Sequence, residues 1–317
     1  MVTVERDGNP RRRLGLASPF LGKIADAEHA TLEALAAHVA GAVTPSAEPT
    51  LLVGLAESSL MLAWSVHRHL PTADLCVSSR QPSGHPRERS FREPHSHAPA
   101  HHLVLPEGRY ARVVVVEDEL TTGRTLANLV DTLEGVAPRY EVVTLADLRS
   151  PARRAAMARA FAARGLRVGF ADLADATIPA RPGAAPPFGS TAATRADLER
   201  LLALLEGRRG EARNRTIYAI GECVGLPLGL LHALPRAARL RHVTRSPWRV
   251  DAAAIHERVE LGCATDGAPY FLYNPTVRAD EAPIVIGDEA TRPVAAALCR
   301  VLRARGARPM THTVARP

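Results

Sequence analysis

Residues 112–125 read RVVVVEDELTTGRT, and this stretch decides the fold. Its four consecutive valines predict a strand buried on both faces, as in a parallel sheet covered by helices. Glu117 and Asp118 follow at once, so the strand delivers two carboxylates to the carboxyl edge of the sheet, where ligands of open α/β folds bind. Gly123 permits a tight turn into a helix that we expect over 125–134.

The turn after the acidic pair is suited to binding an anion. The backbone N–H groups of residues 121–125 can converge on a phosphate, assisted by the start of the helix. Carboxylates suit vicinal hydroxyls and Mg²⁺. A ribose 5-phosphate carries both kinds of group at that separation, so the segment predicts a ribose 5-phosphate site. The alternative interpretation is a buried strand followed by an acidic turn without function.

The chain has 317 residues, of which 46% are hydrophobic and 23% charged. This is an ordinary globular composition, and the length predicts about two domains. No apolar run approaches the roughly 18 residues that cross a bilayer, and the N-terminus lacks the apolar segment of a secretory signal. The four cysteines have no C-x-x-C spacing, which favours neither disulfides nor a cysteine zinc site. We therefore expect a cytoplasmic protein.

The net charge of +7 raises the question of a nucleic-acid partner. Of the 40 basic residues only Lys23 is lysine, and such an arginine excess is typical of a GC-rich genome. The basic residues are spread along the chain, and aromatic residues make up only 4%, so stacking platforms for single strands are scarce. A small polyanion such as a phosphate is a better partner for this charge than nucleic acid.

Strands and helices alternate along the chain, which predicts a parallel α/β sheet. The expected strands are 51–55, 74–80, 112–116, 141–148, 166–173, 216–220 and 240–244, with apolar segments at 270–273 and 283–286. The expected helices are 27–41, 58–70, 125–134, 151–164 and 293–304. Residues 81–102 are expected to form a long polar loop, and the Pro/Gly/Ala-rich residues 179–193 a linker. We expect one α/β domain over 1–190 and a second, smaller one over 191–317.

The block 113–125 resembles the signature of type I phosphoribosyltransferases, which is a hydrophobic strand, two acidic residues and a Thr-Thr-Gly turn. The resemblance implies the fold of that family, a parallel sheet flanked by helices. It also implies that Glu117 and Asp118 hold the ribose 2′- and 3′-hydroxyls and bind Mg²⁺, directly or through water. The residues implied in binding the 5-phosphate are Thr121, Thr122, Gly123, Arg124 and Thr125.

Segments on either side of this block support the resemblance. In the family's fold, the turn after the first core strand and a basic residue after the second approach the diphosphate, and a flexible loop closes over the site. Residues 81–102 take the place of that loop here. The implied diphosphate-binding residues are Ala56, Glu57, Ser58, Arg80, Arg92 and His95. The residues implied in catalysis are Glu117, Asp118, Arg80 and His97.

The histidines near the end of this loop have a second interpretation. Neutral imidazoles bind zinc, and His95, His97, His101 and His102 lie close together in the sequence. A histidine cluster in a loop without acidic or cysteine partners is more often exposed or facing phosphate. The phosphate role is therefore preferred, and the zinc site is kept as the alternative.

A narrower resemblance extends over nearly the whole chain. The segments GLAES, SSR, EPHSHA and EDELTTG are similar to the phosphoribosyltransferase found beside bacterial tellurium-resistance genes. In that family a C-terminal domain is named TRSP for its Thr-Arg-Ser-Pro motif, which residues 244–247 match. The resemblance implies a role in making a nucleoside-like small molecule, with no substrate assigned.

The C-terminal third repeats features of the first domain. The separation of 23 positions between Glu57 and Arg80 recurs between Glu222 and Arg245. Asp118 and Glu119 are echoed by Asp288 and Glu289. These correspondences predict that the second domain is a degenerate copy of the first. The alternative is that any two α/β halves share such features.

The second domain departs from the family pattern at the positions where phosphoribosyl diphosphate would bind. Pro293 lacks an N–H for an anion nest, and the first acidic position is Gly287. We therefore expect the second domain to bind phosphoribosyl diphosphate poorly. The residues expected to form a second polar pocket are Glu222, Thr244, Arg245 and Ser246. Helix capping and contacts at a domain interface are alternative roles for these side chains.

Taken together, the resemblance implies a Mg²⁺-dependent pentosyltransferase of nucleotide metabolism. It would transfer ribose 5-phosphate from 5-phospho-α-ribosyl 1-diphosphate (phosphoribosyl diphosphate) to a small-molecule nucleophile and release diphosphate. Three alternatives are a non-catalytic sensor of phosphoribosyl diphosphate or nucleotides, a related or reverse reaction, and a basic RNA-binding scaffold. The acceptor stays open because a variable segment recognises the base in this fold. Pairing into a homodimer also stays open, and no membrane partner is expected.

Overall fold

The structure of the protein is a computed structural model. It describes residues 1–7, 13–93, 99–173, 192–206, 215–235, 237–251, 253–278 and 281–314. The chain divides into two compact units. The N-terminal unit comprises Met1 and Ala34–Ala185, and the C-terminal unit comprises Val2–Glu33 and Pro186–Pro317.

The helices and strands of the two units are numbered together in chain order. The strands are β1 (Val2–Glu5), β2 (Leu14–Ala17), β3 (Ala27–Glu28), β4 (Thr50–Gly54), β5 (Ala73–Ser79), β6 (Glu88–Arg92), β7 (Ala100–Val104), β8 (Arg112–Leu120), β9 (Arg139–Asp147), β10 (Arg167–Asp172), β11 (Thr216–Ile220), β12 (Arg239–Val243), β13 (Arg258–Cys263), β14 (Pro269–Tyr273), β15 (Ile284–Asp288) and β16 (Met310–Val314). The helices are α1 (His29–Gly41), α2 (Leu60–His67), α3 (Arg124–Thr132), α4 (Pro151–Ala162), α5 (Ala192–Glu206), α6 (Gly225–Ala233) and α7 (Arg292–Ala304). The five expected helices are all present, with ends that differ by at most three residues. Among the residues described, no helix combines the length and the apolar character needed to cross a membrane.

The N-terminal unit is built on a seven-stranded sheet with the order β10-β9-β8-β4-β5-β7-β6. The strands from β10 to β5 are parallel, and β7 and β6 are antiparallel additions at one edge. Helix α2 packs on β4, β5 and β8, and α4 packs on β10. The side chains of residues 113–116 are fully buried in the centre of this sheet. The expected α/β fold, a parallel sheet flanked by helices, is confirmed.

Strand β8 is longer than the 112–116 expected from its valines, because it ends at Leu120. Its pairing with β4 stops where Val116 lies opposite Gly54, but its pairing with β9 continues until Leu120 lies opposite Asp147. The continued ladder with β9 keeps residues 117–119 extended. The acidic residues therefore lie in a strand that projects beyond β4, and not in a loop.

The expectation of a continuous loop over 81–102 is wrong, because the segment contributes the antiparallel hairpin of β6 and β7. Phe91 and Leu103 are buried in the core of the unit. The two apolar side chains are isolated among charged and histidine residues, so the strand alternation is hard to see in the sequence. Residues 94–98, which include the predicted site residues His95 and His97, lie outside the described residues.

The C-terminal unit has a five-stranded sheet with the order β16-β15-β11-β12-β3, in which β3 is antiparallel and the other strands are parallel. The order β9-β8-β4-β5 of the first sheet therefore recurs as β16-β15-β11-β12. An antiparallel hairpin also follows at the same place in both units. Strand β7 joins β5 where Ser79 lies opposite His102, and β14 meets the end of β12 where Thr244 lies opposite Phe271.

The division into units differs from the expected ranges 1–190 and 191–317 at the N-terminus. Residues 2–33 belong to the C-terminal unit, because β3 pairs with β12 and Arg6 forms a bridge with Trp248. Val4, Ala17 and Ile24 also join a hydrophobic cluster with Trp248. These are contacts between residues more than two hundred positions apart, and no local pattern in the sequence predicts them.

Candidate functional site

Three turns that were predicted to bind substrate meet at the carboxyl edge of the N-terminal sheet. They follow β4, β5 and β8, which are parallel neighbours, so their ends lie at one edge. The Ser59 hydroxyl donates to Oε2 of Glu117 over 2.6 Å, which ties the first turn to the acidic strand. The Ala56 N–H donates to Oγ of Ser78 over 2.8 Å, which ties the first turn to the second.

The acidic residues 117–119 are all half-buried at the projecting end of β8. Successive side chains of a strand point to opposite faces, so Glu119 shares a face with Glu117 while Asp118 lies on the other. Sequence reasoning missed Glu119 because it ended the strand at residue 116. Neighbouring carboxylates that keep part of their surface in water fit Mg²⁺, which takes one or two carboxylates and retains several waters.

The turn between β8 and α3 requires glycine at its last position. Gly123 has a φ of +77° and directly precedes α3. A Cβ atom on Gly123 would lie 2.2 Å from Cε of Met157, so a side chain there would have to displace the Met157 side chain and would also be strained by the positive φ. The first N–H groups of a helix have no intrahelical acceptor, and here the Arg124 N–H donates to Oγ1 of Thr122 over 3.3 Å. Binding of a phosphate by this turn stays a prediction.

A buried ion pair that sequence reasoning missed lies beneath this turn. The Arg149 guanidinium donates to both carboxylate oxygens of Asp147 over 2.8 and 2.6 Å, and to Sδ of Met157 over 2.9 Å. It also packs on the Phe170 ring, 4.2 Å from its centroid. Burial alone would raise the pKa of Asp147, but the hydrogen bonds and charge of Arg149 outweigh burial and lower it. The pair therefore fixes Met157 against Gly123.

Arg80 directly follows β5, at the place where the resemblance implies a residue that binds the diphosphate. Its Nη2 donates to the Ala56 carbonyl over 2.7 Å and to Oε2 of Glu93 over 2.8 Å. Its side chain is 9% exposed. The guanidinium is thus held against the turn after β4, and Glu93 partly balances its charge. The diphosphate role of Arg80 stays a prediction.

A hydrogen-bonded chain continues from Glu93 to the strand that carries Arg80. Nε2 of His101 lies 3.4 Å from Oε2 of Glu93, and Nδ1 of His101 lies 2.8 Å from Oγ of Ser78. A carboxylate can only accept, so the ring carries its proton on Nε2 and accepts from the Ser78 hydroxyl. Burial, together with the charge of Arg80, lowers the pKa of His101 despite the opposing effect of Glu93. His101 is therefore a neutral linker that positions Glu93.

The zinc alternative for the loop histidines finds no support among the described residues. His101 and His102 are adjacent in β7 and point to opposite faces. His102 pairs instead with Glu88, whose Oε1 lies 2.7 Å from its Nδ1. His95 and His97 lie outside the described residues, so their phosphate-facing and catalytic roles stay predictions.

The remaining predicted diphosphate residues border the same edge. Glu57 is buried, and Ser58 is half-buried. Arg92 ends β6 with an exposed side chain, and its carbonyl accepts from Nδ2 of Asn128 over 2.6 Å. This bond ties the hairpin of β6 and β7 to α3. The structure thus places Arg92 next to the helix that begins at the predicted phosphate turn.

We expect Glu93→Gln to destabilise the protein by about 3 kcal/mol at pH 7. Burial would raise the pKa of Glu93, but His101 and Arg80 lower it to about 2. The carboxylate therefore stabilises the fold fully above the pKa of an unfolded glutamate, about 4.3, and this contribution is lost as the pH falls toward 2. Urea unfolding of the wild type and Glu93→Gln should show a constant difference in the free energy of unfolding from pH 8 to 5 and a smaller difference at pH 3.5. Glu107→Gln is the control, because Glu107 is 88% exposed; equal effects of the two substitutions would contradict the prediction.

The predicted C-terminal pocket lies at the ends of β11 and β12, where side chains of the same unit occupy the space. Nε of Arg245 donates to the Tyr270 hydroxyl over 2.8 Å, and its Nη2 donates to Asp266 over 2.9 Å. A Cβ atom on Gly221 would lie 2.6 Å from that hydroxyl. The neighbouring charge of Glu222 adds to these contacts, and together they raise the pKa of Arg245 although burial opposes this.

Thr244, Ser246 and Asp288 lie at the same edge of the C-terminal sheet and form local hydrogen bonds. Thr244 is buried, and its Oγ1 accepts from the Ser246 N–H over 3.1 Å. Asp288 accepts from the N–H and the hydroxyl of Thr291 over 2.9 Å each. Asp288, which is not one of the predicted pocket residues, therefore caps the turn before α7. A ligand role for the pocket stays a prediction.

The N-terminal unit has an α/β fold in which a mostly parallel sheet is flanked by helices. The chain belongs to the phosphoribosyl transferase family, because the family model with that description matches residues 1–177. Curated protein sequences give no match to the chain.

Solved structures with a similar chain include three phosphoribosyltransferases. The adenine enzyme of Leishmania donovani is 17% identical over 44% of this chain and 64% of its own, with a TM-score of 0.35. The adenine enzyme of Trypanosoma brucei, in complex with AMP, pyrophosphate and ribose-5-phosphate, is 14% identical over 54% of this chain and 76% of its own, with a TM-score of 0.34. The hypoxanthine enzyme of Staphylococcus aureus is 20% identical over 39% of this chain and 65% of its own, with a TM-score of 0.26. The matched region spans less than two thirds of the first and third of these chains.

Proposed function

We propose that the N-terminal unit catalyses Mg²⁺-dependent transfer of the phosphoribosyl group from phosphoribosyl diphosphate to a small-molecule nucleophile, with release of diphosphate. The observation that carries the proposal is the meeting of the 117–118 carboxylates and the 121–125 turn at one sheet edge. Membership of the phosphoribosyl transferase family supports the same reaction. The narrower resemblance supports a nucleoside-like metabolite as the product.

The residues of this edge divide the work of the reaction. The carboxylates of Glu117 and Asp118 accept hydrogen bonds from the ribose hydroxyls and favour the positive charge that develops on the ribose ring. The N–H groups of residues 121–125 donate to the 5-phosphate. Bound Mg²⁺ would be held by Glu117 or Asp118, directly or through water, because the two side chains point to opposite faces of β8, and it would offset the charge of the leaving diphosphate. Arg80, held by Glu93, adds a second positive charge on the diphosphate side.

Closure of a segment over the site completes the proposal. Residues 81–102 include the hairpin of β6 and β7, and its residue Glu93 reaches Arg80. In the proposed reaction this segment covers the donor and excludes water, so that the ribosyl group is transferred and not hydrolysed. His95 and His97 would face the diphosphate from this segment.

We also infer that the C-terminal unit is a degenerate copy of the N-terminal unit and corresponds to the TRSP domain of the tellurium-associated family. The shared strand order and the equivalent hairpin support this. In both units an arginine after the second strand pairs with an acidic residue of the hairpin: Arg80 with Glu93, and Arg245 with Asp266. The C-terminal unit keeps this pair while Asp288 is engaged in capping, so we expect it to bind phosphoribosyl diphosphate poorly.

Asp118→Asn should weaken Mg²⁺-assisted binding of phosphoribosyl diphosphate about tenfold or more, because it removes a charge that holds both the ribose and the metal. Calorimetric titration with and without Mg²⁺ measures the loss directly. Asp288→Asn, at the corresponding place in the C-terminal unit, is the matched control and should bind like the wild type. Wild-type protein that does not bind the donor, or Asp118→Asn that binds normally, would overturn the proposed function. Binding without diphosphate release for any nucleobase offered is the result expected of a sensor.

A further inference from the structure

The C-terminal unit contains a cluster of metal-binding side chains far in sequence from the acidic strand. His29 and Glu33 are one helical turn apart at the start of α1, so they lie on one face of the helix. His232 lies in the last turn of α6. One donor atom from each of the three residues lies within 4.8 Å of the other two.

The distances within the cluster are short, and its centre is buried. Nε2 of His29 lies 2.7 Å from Nδ1 of His232, and Nε2 of His232 lies 3.2 Å from Oε1 of Glu33. The Glu33 side chain is 1% exposed and that of His232 is 6% exposed. A carboxylate that deep in a protein is costly unless it is paired or coordinates a metal. The cluster therefore needs either a proton network or a cation.

We propose that His29, Glu33 and His232 bind a divalent transition-metal ion, with Zn²⁺ as the best fit. Two imidazoles and one carboxylate are the three-ligand set of open zinc sites, which leave a fourth position for water or a ligand. Imidazole nitrogens exclude Mg²⁺ and Ca²⁺, which prefer oxygen. The site is distinct from the proposed Mg²⁺ site, and it does not depend on the phosphoribosyl reaction.

The geometry needs only a small adjustment to hold the ion. Metal–nitrogen bonds of about 2.0–2.1 Å in a tetrahedral site separate neighbouring donor atoms by about 3.3 Å. With Nδ1 of His232 as the ligand, that atom and Nε2 of His29 would move apart by about half an ångström, and the Glu33 carboxylate, which faces Nε2 of His232, would rotate toward the ion. Helices α1 and α6 provide the ligands, and ligands on helices are placed more accurately than ligands on loops.

A chain of hydrogen bonds without metal is the competing explanation of the same contacts. Glu33 would accept from Nε2 of His232, whose Nδ1 would accept from Nε2 of His29. In that arrangement His232 carries its proton on the nitrogen that faces Glu33. In such a chain Nε2 of His29 and Nδ1 of His232 share a hydrogen bond. A bound metal ion would break that hydrogen bond, so a binding experiment distinguishes the two explanations.

Titration of chelator-treated full-length protein with Zn²⁺ tests the proposal, with Co²⁺ as a spectroscopic probe. We expect one ion per chain, a rise in the unfolding temperature with metal because only the folded state binds it, and affinity that falls as the pH is lowered. His232→Asn and Glu33→Gln should each weaken binding about a hundredfold. His256→Asn, which replaces an exposed histidine of the same unit, is the matched control and should bind like the wild type.

Three results would overturn the proposal. They are wild-type protein that binds no Zn²⁺, variants that bind as tightly as the wild type, and a sulfur-to-cobalt charge-transfer band, which would place the ion on a cysteine such as the exposed Cys263. If the two buried substitutions prevent folding, His29→Asn replaces a half-buried residue at the first position of α1. That variant must also lose the metal if the site is correct.

Discussion

Gly123→Ala should lower the affinity for phosphoribosyl diphosphate by about a hundredfold or more, the largest binding effect expected from a single methyl group in this protein. The φ of +77° costs an alanine about 1–2 kcal/mol, and the new Cβ would lie 2.2 Å from Cε of Met157. Either the Met157 side chain or the turn must shift to relieve this contact, and the hydrogen bond from Arg149 to Sδ of Met157 opposes movement of the side chain. A shift of about 1 Å in a positioning group can cost a hundredfold, because the N–H groups no longer converge on the phosphate.

Two control variants separate the contact from the backbone cost. Gly135 also has a positive φ, +78°, but a Cβ atom there would meet nothing within 4 Å. Gly135→Ala should therefore lose about 1–2 kcal/mol of stability without affecting donor affinity. Adding Met157→Ala to Gly123→Ala removes the clash and should restore part of the affinity. Calorimetry with Mg²⁺ present measures all four proteins, and normal binding by Gly123→Ala would show that the turn does not hold the phosphate.

The sequence predicted this turn because its determinants are local. Buried valines, an acidic pair and a glycine within 112–125 specify a strand, an edge position and a tight turn without reference to the rest of the chain. The ends of parallel strands share an edge, so the meeting of this turn with the one after β4 also followed. The strand end was misjudged because β9, and not a pattern in β8, keeps residues 117–120 extended.

The contacts that support the site could not be predicted from local patterns in the sequence. His101, in the hairpin of β6 and β7, reaches Ser78 on the neighbouring strand β5, and its partner Glu93 reaches Arg80 from the same hairpin. The strands of the hairpin are mostly polar, so only their pairing reveals them. Arg149 illustrates the same limit, because a lone arginine after a strand is typical of an exposed residue. Only the packing of α4 against the sheet buries it.

Arg149→Met should destabilise the protein by about 3–5 kcal/mol, the largest loss of stability expected here. The Arg149 side chain is 0% exposed and that of Asp147 is 2% exposed, so the substitution leaves a buried carboxylate without its main partner. Arg154 also contacts Asp147, over 3.3 Å, but its own side chain is 42% exposed. Arg154→Met is therefore the matched control and should cost at most about 1 kcal/mol.

The pH dependence and a second substitution identify the cause of that loss. In the wild type the pKa of Asp147 is lowered, so its pairing stabilises the protein above the unfolded pKa of about 3.9 and this is lost as the pH falls below that value. In Arg149→Met the charged Asp147 carboxylate destabilises the fold. The difference in the free energy of unfolding between the variant and the wild type should therefore become smaller as acid protonates this carboxylate. Replacing both members, as Arg149→Met with Asp147→Leu, should restore most of the stability, because an apolar pair can replace a buried ion pair. Urea unfolding midpoints at pH 7 and 4 test this, and a double variant no more stable than Arg149→Met would show that the loss comes from packing around Met157 and Phe170 and not from the stranded charge.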